Sequence, residues 1–151
     1  MDGIELEILW SNLIGIVSEQ AKALQRIAFS PIVREAGDLA SGLFDARGRM
    51  VAQANTGTPG HINSLAAAGE SLHKLFDGKL VPGDIVITND PWMSAGHFFD
   101  ITVLCPVYME KLRAGTARLD LRFWLGNLLS SYRLMAVGSP FNRRIRAISL
   151  P

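Results

Sequence analysis

The chain has one cysteine, Cys105. A single thiol excludes an intrachain disulfide framework and fits a reducing compartment. Because it follows the apolar run Ile101-Thr102-Val103-Leu104, it reads as buried packing rather than a nucleophile. Long apolar runs are missing too: none approaches the roughly 20 residues that cross a bilayer. The N-terminus, with Asp2, Glu5 and Glu7, is unlike a signal peptide. These absences lead to the expectation of a cytoplasmic protein with no membrane partner. Histidine is absent after His97, and there is no G-x-x-x-x-G-K-[ST] phosphate loop anywhere. Charged residues make up only 19% against 48% hydrophobic over 151 residues, which excludes bulk disorder and suits one domain with a real core. Acidic residues are scarce at one end. Residues 111–151 carry eight Lys/Arg and one acid, Asp120, a net of +7, whereas residues 1–110 carry seven Lys/Arg and thirteen acids, a net of −6. The small basic cluster Arg143-Arg144-Ile145-Arg146 could attract phosphate polymers or anionic membrane. It has no nucleic-acid-binding fold around it, and aromatics are sparse after Tyr132, so no nucleic-acid partner is expected.

What is present is organised around Asn89–Asp100, N-D-P-W-M-S-A-G-H-F-F-D. The apolar run Ile85-Val86-Ile87 leads in and Ile101–Leu104 leads out, so a polar cluster sits at the mouth of two buried strands, the kind of loop that carries function. His97 and Asp100 are three apart and converge in a helical turn or in a tight loop after Gly96. Imidazole plus carboxylate suits a divalent metal such as zinc, manganese or iron, although a catalytic site takes three protein ligands. The plainer alternative is that Asp100 caps local backbone and His97 is a loop histidine. For Asn89-Asp90-Pro91 the corresponding alternative is turn chemistry alone.

Taken in order, the pattern is mixed α and β. Asp2 caps a long amphipathic helix from about Gly3, with Leu6, Leu9, Trp10, Leu13, Ile16, Val17, Leu24 and Ile27 as its apolar stripe. Glu19, Lys22 and Arg26 are its solvated complement, and Ser30-Pro31 ends it. Asp38–Asp45 and Met50–Gln53 flank a turn containing Gly48, a hairpin; Asp38 and Ser41 read as turn or cap residues. Asn55–Gly60 is a loop. His61 stands where it meets a helix beginning near Asn63 or Ser64, a place that favours anionic groups. Leu65, Ala68, Leu72, Leu75 and Phe76 form the buried stripe of that helix; His73 reads as exposed, and Asp77-Gly78 closes it. Pro106 predicts an edge or a strand end. Leu119–Leu129 reads as a short amphipathic element, and Ser139–Asn142 as a turn.

Several of these segments, in this order, resemble one family: Asp38–Gln53 (D-L-A-S-G-L-F-D-A-R-G-R-M-V-A-Q), Pro59-Gly60-His61, Leu80–Asp84 (L-V-P-G-D), Asn89–Asp100, and Pro106-Val107-Tyr108. Together with Glu5–Glu35, including L-Q-R-I-A-F-S-P-I-V-R-E, they resemble the N-terminal portion of the hydantoinase B/oxoprolinase family, over about residues 2–110. The resemblance implies an α+β fold with a long N-terminal helix, a β-hairpin, a second helix and mixed strands, as a partial domain of a larger fold. It implies a subunit, or fragment, of an ATP-dependent cyclic-amide hydrolase acting on hydantoin or 5-oxoproline-like substrates. ATP and Mg would be used by a separate hydantoinase A-like subunit. The alternatives are a subunit of an acetone/acetophenone-type carboxylase, or a truncated fragment inactive by itself. In the carboxylase branch the family pattern implies a divalent metal (Zn, Mn or Fe) on His97 and Asp100, completed by a histidine further downstream. It leaves Asp90 as a candidate catalytic base, and His61 and Asn89 as substrate-binding groups. This chain departs from the pattern: Trp92 stands where Tyr is commoner, Ala95 where Gly is common, and the downstream histidine has no counterpart. The resemblance stops near residue 110, where the charge changes sign. The expectation is therefore a first part, 1–110, and a basic tail, 111–151, that arises from a shifted frame, a truncated gene or a divergent end.

Overall fold

A computed structural model describes residues 2–76, 78–113, 116–130 and 144–148. Helix α1 spans Gly3–Ile27. It begins on a capping box: Asp2 Oδ1 accepts the Glu5 N–H at 2.8 Å, and Glu5 Oε2 accepts the Asp2 N–H at 3.0 Å. Glu19 and Lys22 pair at 2.9 Å on its exposed side, and this pairing draws the Glu19 carboxyl below its ordinary pKa. The helix ends at Ile27, with Ala28 extended. Pro31 is not its stop but the first residue of a short helix α2, Pro31–Arg34, a position where its missing N–H costs nothing.

The hairpin follows as β1 (Leu39–Asp45) and β2 (Met50–Gln53). Asp45 fixes its turn: Oδ1 accepts the Arg47 and Arg49 N–H groups at 2.9 and 3.0 Å, and Oδ2 takes Arg49 Nε at 2.7 Å. Burial pushes the Asp45 carboxyl upward, but these Arg49 and Arg47 bonds outweigh it and hold the pKa down. Helix α3 spans Pro59–Phe76, so it starts several residues before the predicted Asn63 or Ser64, again with proline in its first turn. His61 is therefore inside the helix. Leu65, Ala68, Gly69 and Leu72 form its buried face; Leu75 is exposed, His73 is half-buried, and Asp77 lies outside the described residues.

The remaining strands are β3 (Asp84–Thr88), β4 (Asp100–Arg113), β5 (Thr116–Ser130) and β6 (Arg144–Ile148). They join the hairpin in one sheet of order β2-β1-β5-β4-β3-β6, antiparallel throughout except for the β3–β6 pair. Two expectations change. Pro106 lies well inside β4, paired with Trp124 of β5, and two residues beyond the last residue paired to β3. Its missing N–H thus falls beyond the last β3–β4 pair, Val86 with Leu104. Leu119–Leu129 belongs to the strand β5, which is hydrogen-bonded to β1 on one side and β4 on the other. Arg146 of the basic cluster is bound at 2.9 Å to Asp84, which is fully buried. Arg143 and the predicted turn Ser139–Asn142 lie outside the described residues.

The sheet is covered on both faces, and β1 shows how. Ala40 and Phe44 face one way and pack with Leu65 and Leu72 of α3, and with Leu80, Val86, Leu104 and Leu128. Leu39 and Leu43 face the other way and pack with Val17, Ala21 and Val33 of the first two helices. Phe44 is central, and the glycines opposite make room for it: a Cβ on Gly69 would stand 2.5 Å from its ring. On α1, periodicity overstates burial. Only Val17 and Ala21 are buried, while Leu6, Leu9, Trp10, Ile16 and Ile27 stay exposed. Cys105 is half-buried. Among the described residues no helix is long and apolar enough to cross a membrane.

Candidate functional site

Leu39 and Ile101 both stand opposite Leu129 of β5, in a row across three strands. Asp38, just before β1, and Asp100, the first residue of β4, are therefore brought to the same end of the sheet. One strand lies between them, so their backbones are about 10 Å apart. A carboxylate pair at that spacing leaves room for one flat ring, and α3 supplies it. His61, in its first turn, has Nδ1 at 3.2 Å from Asp38 Oδ1 and Nε2 at 3.2 Å from Asp100 Oδ2. His97 arrives from the Asn89–Asp100 loop, with Nε2 at 3.3 Å from the same Asp100 oxygen. Gly96, at φ +81°, supplies the left-handed turn that brings it round.

Asp100 is 1% exposed. Among the described residues neither of its oxygens makes a hydrogen bond of acceptable angle, nor does Nδ1 of His61. A buried carboxylate normally has donors or a cation, because leaving it unmatched is costly. The His97 ring is turned so that Nδ1 accepts the Phe99 N–H at 3.3 Å, and the two rings tilt at 5.8 Å.

The other predicted residues are held within their own loop. Asn89 Nδ2 donates to the Phe98 carbonyl at 3.5 Å, closing the loop across its width. Asp90 is buried, but its Oδ1 accepts the Trp92 N–H at 2.8 Å and its own N–H reaches Thr88 Oγ1 at 3.0 Å. Among the described residues no ion pair or hydrogen bond joins Asp90 or Asn89 to His61, His97 or Asp100. Ser94 and Thr102 hydroxyls meet at 2.5 Å, tying the loop to β4. The structure thus gathers His61, His97 and Asp100, and keeps Asp90 and Asn89 as loop formers. It adds Asp38, which the sequence offered only as a turn or cap residue. The one local sign was an acid directly ahead of a strand; its meaning comes from the pairing of β1 and β4 through β5. Trp92, 91% exposed, and the exposed Phe98 and Phe99 rim the loop.

Among the described residues no three His, Cys, Asp or Glu side chains stand as a ready-made metal cage. The donors nevertheless fit an ion in two respects. Two ligands of a tetrahedral centre with bonds near 2.0–2.1 Å lie about 3.3 Å apart, which is the separation of Asp100 Oδ2 from both imidazole nitrogens. An Asp38 carboxylate on the far nitrogen of His61 is the usual support of a ligating histidine.

Comparison with known proteins bears on the family and the fold. The model of the hydantoinase B/oxoprolinase family matches residues 2–128. The 5-oxoprolinase of Saccharomyces cerevisiae is 35% identical over 108 residues, covering 72% of this chain and 8% of the yeast protein. A putative D-/L-hydantoinase subunit from a Pseudomonas species, of the B type, is 26% identical over 117 residues, covering 73% and 19%. Among solved structures, nucleotide-free acetone carboxylase shares the fold with a TM-score of 0.69 at 24% identity, over 85% of this chain and 16% of that one. The ATP-dependent caprolactamase of Pseudomonas jessenii does so with a TM-score of 0.58 at 23% identity, over 87% and 21%. The chain spans about a fifth or less of the length of each of these proteins.

Proposed function

Since the chain belongs to the hydantoinase B/oxoprolinase family, we propose that it contributes part of the catalytic centre of an ATP-dependent enzyme that opens a cyclic amide of the hydantoin or 5-oxoproline type. The observation that carries this reading is the buried Asp100 carboxylate, placed between two imidazoles and accepting no hydrogen bond among the described residues. Such a centre calls for a cation, and His61, His97 and Asp100 are the residues that would hold a divalent zinc, manganese or iron ion. A bound ion would polarise a carbonyl or provide hydroxide at neutral pH. The chain's own residues do the rest. Asp38, 3.2 Å from His61 Nδ1, would take its hydrogen and leave Nε2 free to face Asp100. Burial of Asp100 keeps water off its oxygens. Asn89 and Asp90 fix the loop that presents His97, and the exposed Trp92, Phe98 and Phe99 offer flat apolar surface to a small ring.

ATP and Mg belong to a hydantoinase A-like partner subunit in this reading, in accord with the missing phosphate loop. A cytoplasmic hetero-oligomer is part of the same proposal, as is a separate origin for the basic end of the chain within residues 111–151. The lactam reading ranks above ketone carboxylation because the relatives named for cyclic amides align at the sequence level, whereas acetone carboxylase contributes likeness of fold. By itself the chain is expected to be inactive.

The test is metal analysis of the purified chain after loading with zinc, manganese or iron. One ion per chain is expected, and Asp38→Asn should lower affinity by about 10–100-fold, since it removes the support of His61 rather than a ligand. Unchanged metal content in His61→Ala together with Asp100→Asn would sink the proposal.

A further inference from the structure

The apolar seam of α1 continues past the place where the sheet beneath it ends. Val17 and Ala21 are buried against the hairpin. At helical spacing toward the N-terminus, Leu13, Trp10, Leu9 and Leu6 prolong the same side of the helix. Yet Leu6, Leu9 and Trp10 are 48%, 46% and 53% exposed. With Leu13, and with Met50 and Val51 of β2, they line a groove of about 370 Å³. β2 is the outermost strand of the sheet on this side, so its outer backbone groups have no strand partner among the described residues. The edge itself is short and bulged at Val51, so the open feature is the apolar groove rather than the strand. An apolar helix face above such a groove marks an interface rather than a solvent surface.

We infer that this face seats another part of a hydantoinase B-type polypeptide, a portion for which this chain has no counterpart. The occupant fills the groove with an apolar side chain against Leu6 and Trp10. Three observations select it. The chain matches only 19% of the Pseudomonas hydantoinase polypeptide, so about four-fifths of such a protein needs surface to pack on. The seam is continuous with the Val17–Ala21 core, so the occupant extends a layer already begun. The flanks carry Asp2, Glu5 and Glu7, and no Lys or Arg precedes Lys22. A second copy laid on the same face would set these acids against their own mates; a neutral or basic occupant would not. The inference rests on family membership and is independent of the chemistry proposed for the site.

The test probes the full chain against immobilised overlapping peptides that span the Pseudomonas hydantoinase polypeptide. Expected is capture by one or a few apolar peptides from outside the segment matching residues 2–128. Trp10→Asp and Leu6→Glu should each cut capture by roughly tenfold or more. Ile8→Asp, at a residue 57% exposed on the opposite side of α1, should leave it unchanged. Circular dichroism confirms that each variant keeps its helix content, and two separate variants guard against one that does not fold. Capture by no such peptide, or capture indifferent to both variants, overturns the inference. So does light scattering that finds a dimer of the chain alone converted to monomer by Trp10→Asp.

Discussion

The two ends of this molecule are unfinished in opposite senses. At the site end a charged group is hidden: Asp100 is 1% exposed and, among the described residues, accepts no hydrogen bond. At the α1 overhang apolar groups are bare: Trp10 is 53% exposed above an open groove. Folding alone favours neither, because water would take the carboxylate and protein would take the indole. Each exception therefore points outward, the first to a cation and the second to more polypeptide. Between them, the seam of α3 against the sheet is closed and needs neither.

The largest effect is expected in that closed seam. Phe44→Ala should cost about 3–5 kcal/mol, measured by chemical unfolding, because its ring fills the space left by Gly69 and Gly126. A cost near zero would mean the middle is as loose as the ends. At the site end the sign reverses. Asp100→Asn should abolish metal uptake yet raise the stability of the metal-free chain by about 1 kcal/mol. The amide removes the buried charge and can donate to His61 Nε2, while Asp38 holds the other nitrogen. A lowered unfolding midpoint would show that the carboxylate is already satisfied. At the overhang, Trp10→Asp should change stability by no more than about 0.5 kcal/mol, since it removes little buried area. The smallest effect belongs to the hairpin turn. Asp45 binds its proton less readily folded than unfolded, so its contribution is full above the ordinary aspartate pKa of about 3.9. It fades as pH falls through the lower folded value. The stability difference between the chain and Asp45→Asn should therefore shrink in acid; a difference that grows would contradict the turn geometry.

Much of the fold was legible where local chemistry decides it. The Asp2 cap, the hairpin turn around Gly48, and the apolar runs that became β3 and the start of β4 all act within a few residues. The misreadings share another cause. Pro59 looked like loop because glycine and threonine precede it, yet proline is at home in a first helical turn. Pro106 looked like a strand end because sequence does not show that the pairing with β3 ends two residues before it. The stripe on α1 announced burial correctly as a pattern, but only its Val17–Ala21 portion finds a partner here. At the site, His97 and Asp100 were visible as a close pair, and His61 as a residue at a helix start. Asp38 was not singled out, because its partner lies 23 residues on, and the neighbouring strand that sets its distance from Asp100 lies more than 75 residues on.

That neighbouring strand has a consequence of its own. β5 acts as the caliper of the centre: its thickness is the gap that the His61 ring bridges. A slip of one residue in its alignment with β1 or β4 would offset Asp38 from Asp100 along the sheet. A substitution in β5 can therefore impair the centre while leaving every polar group in it intact.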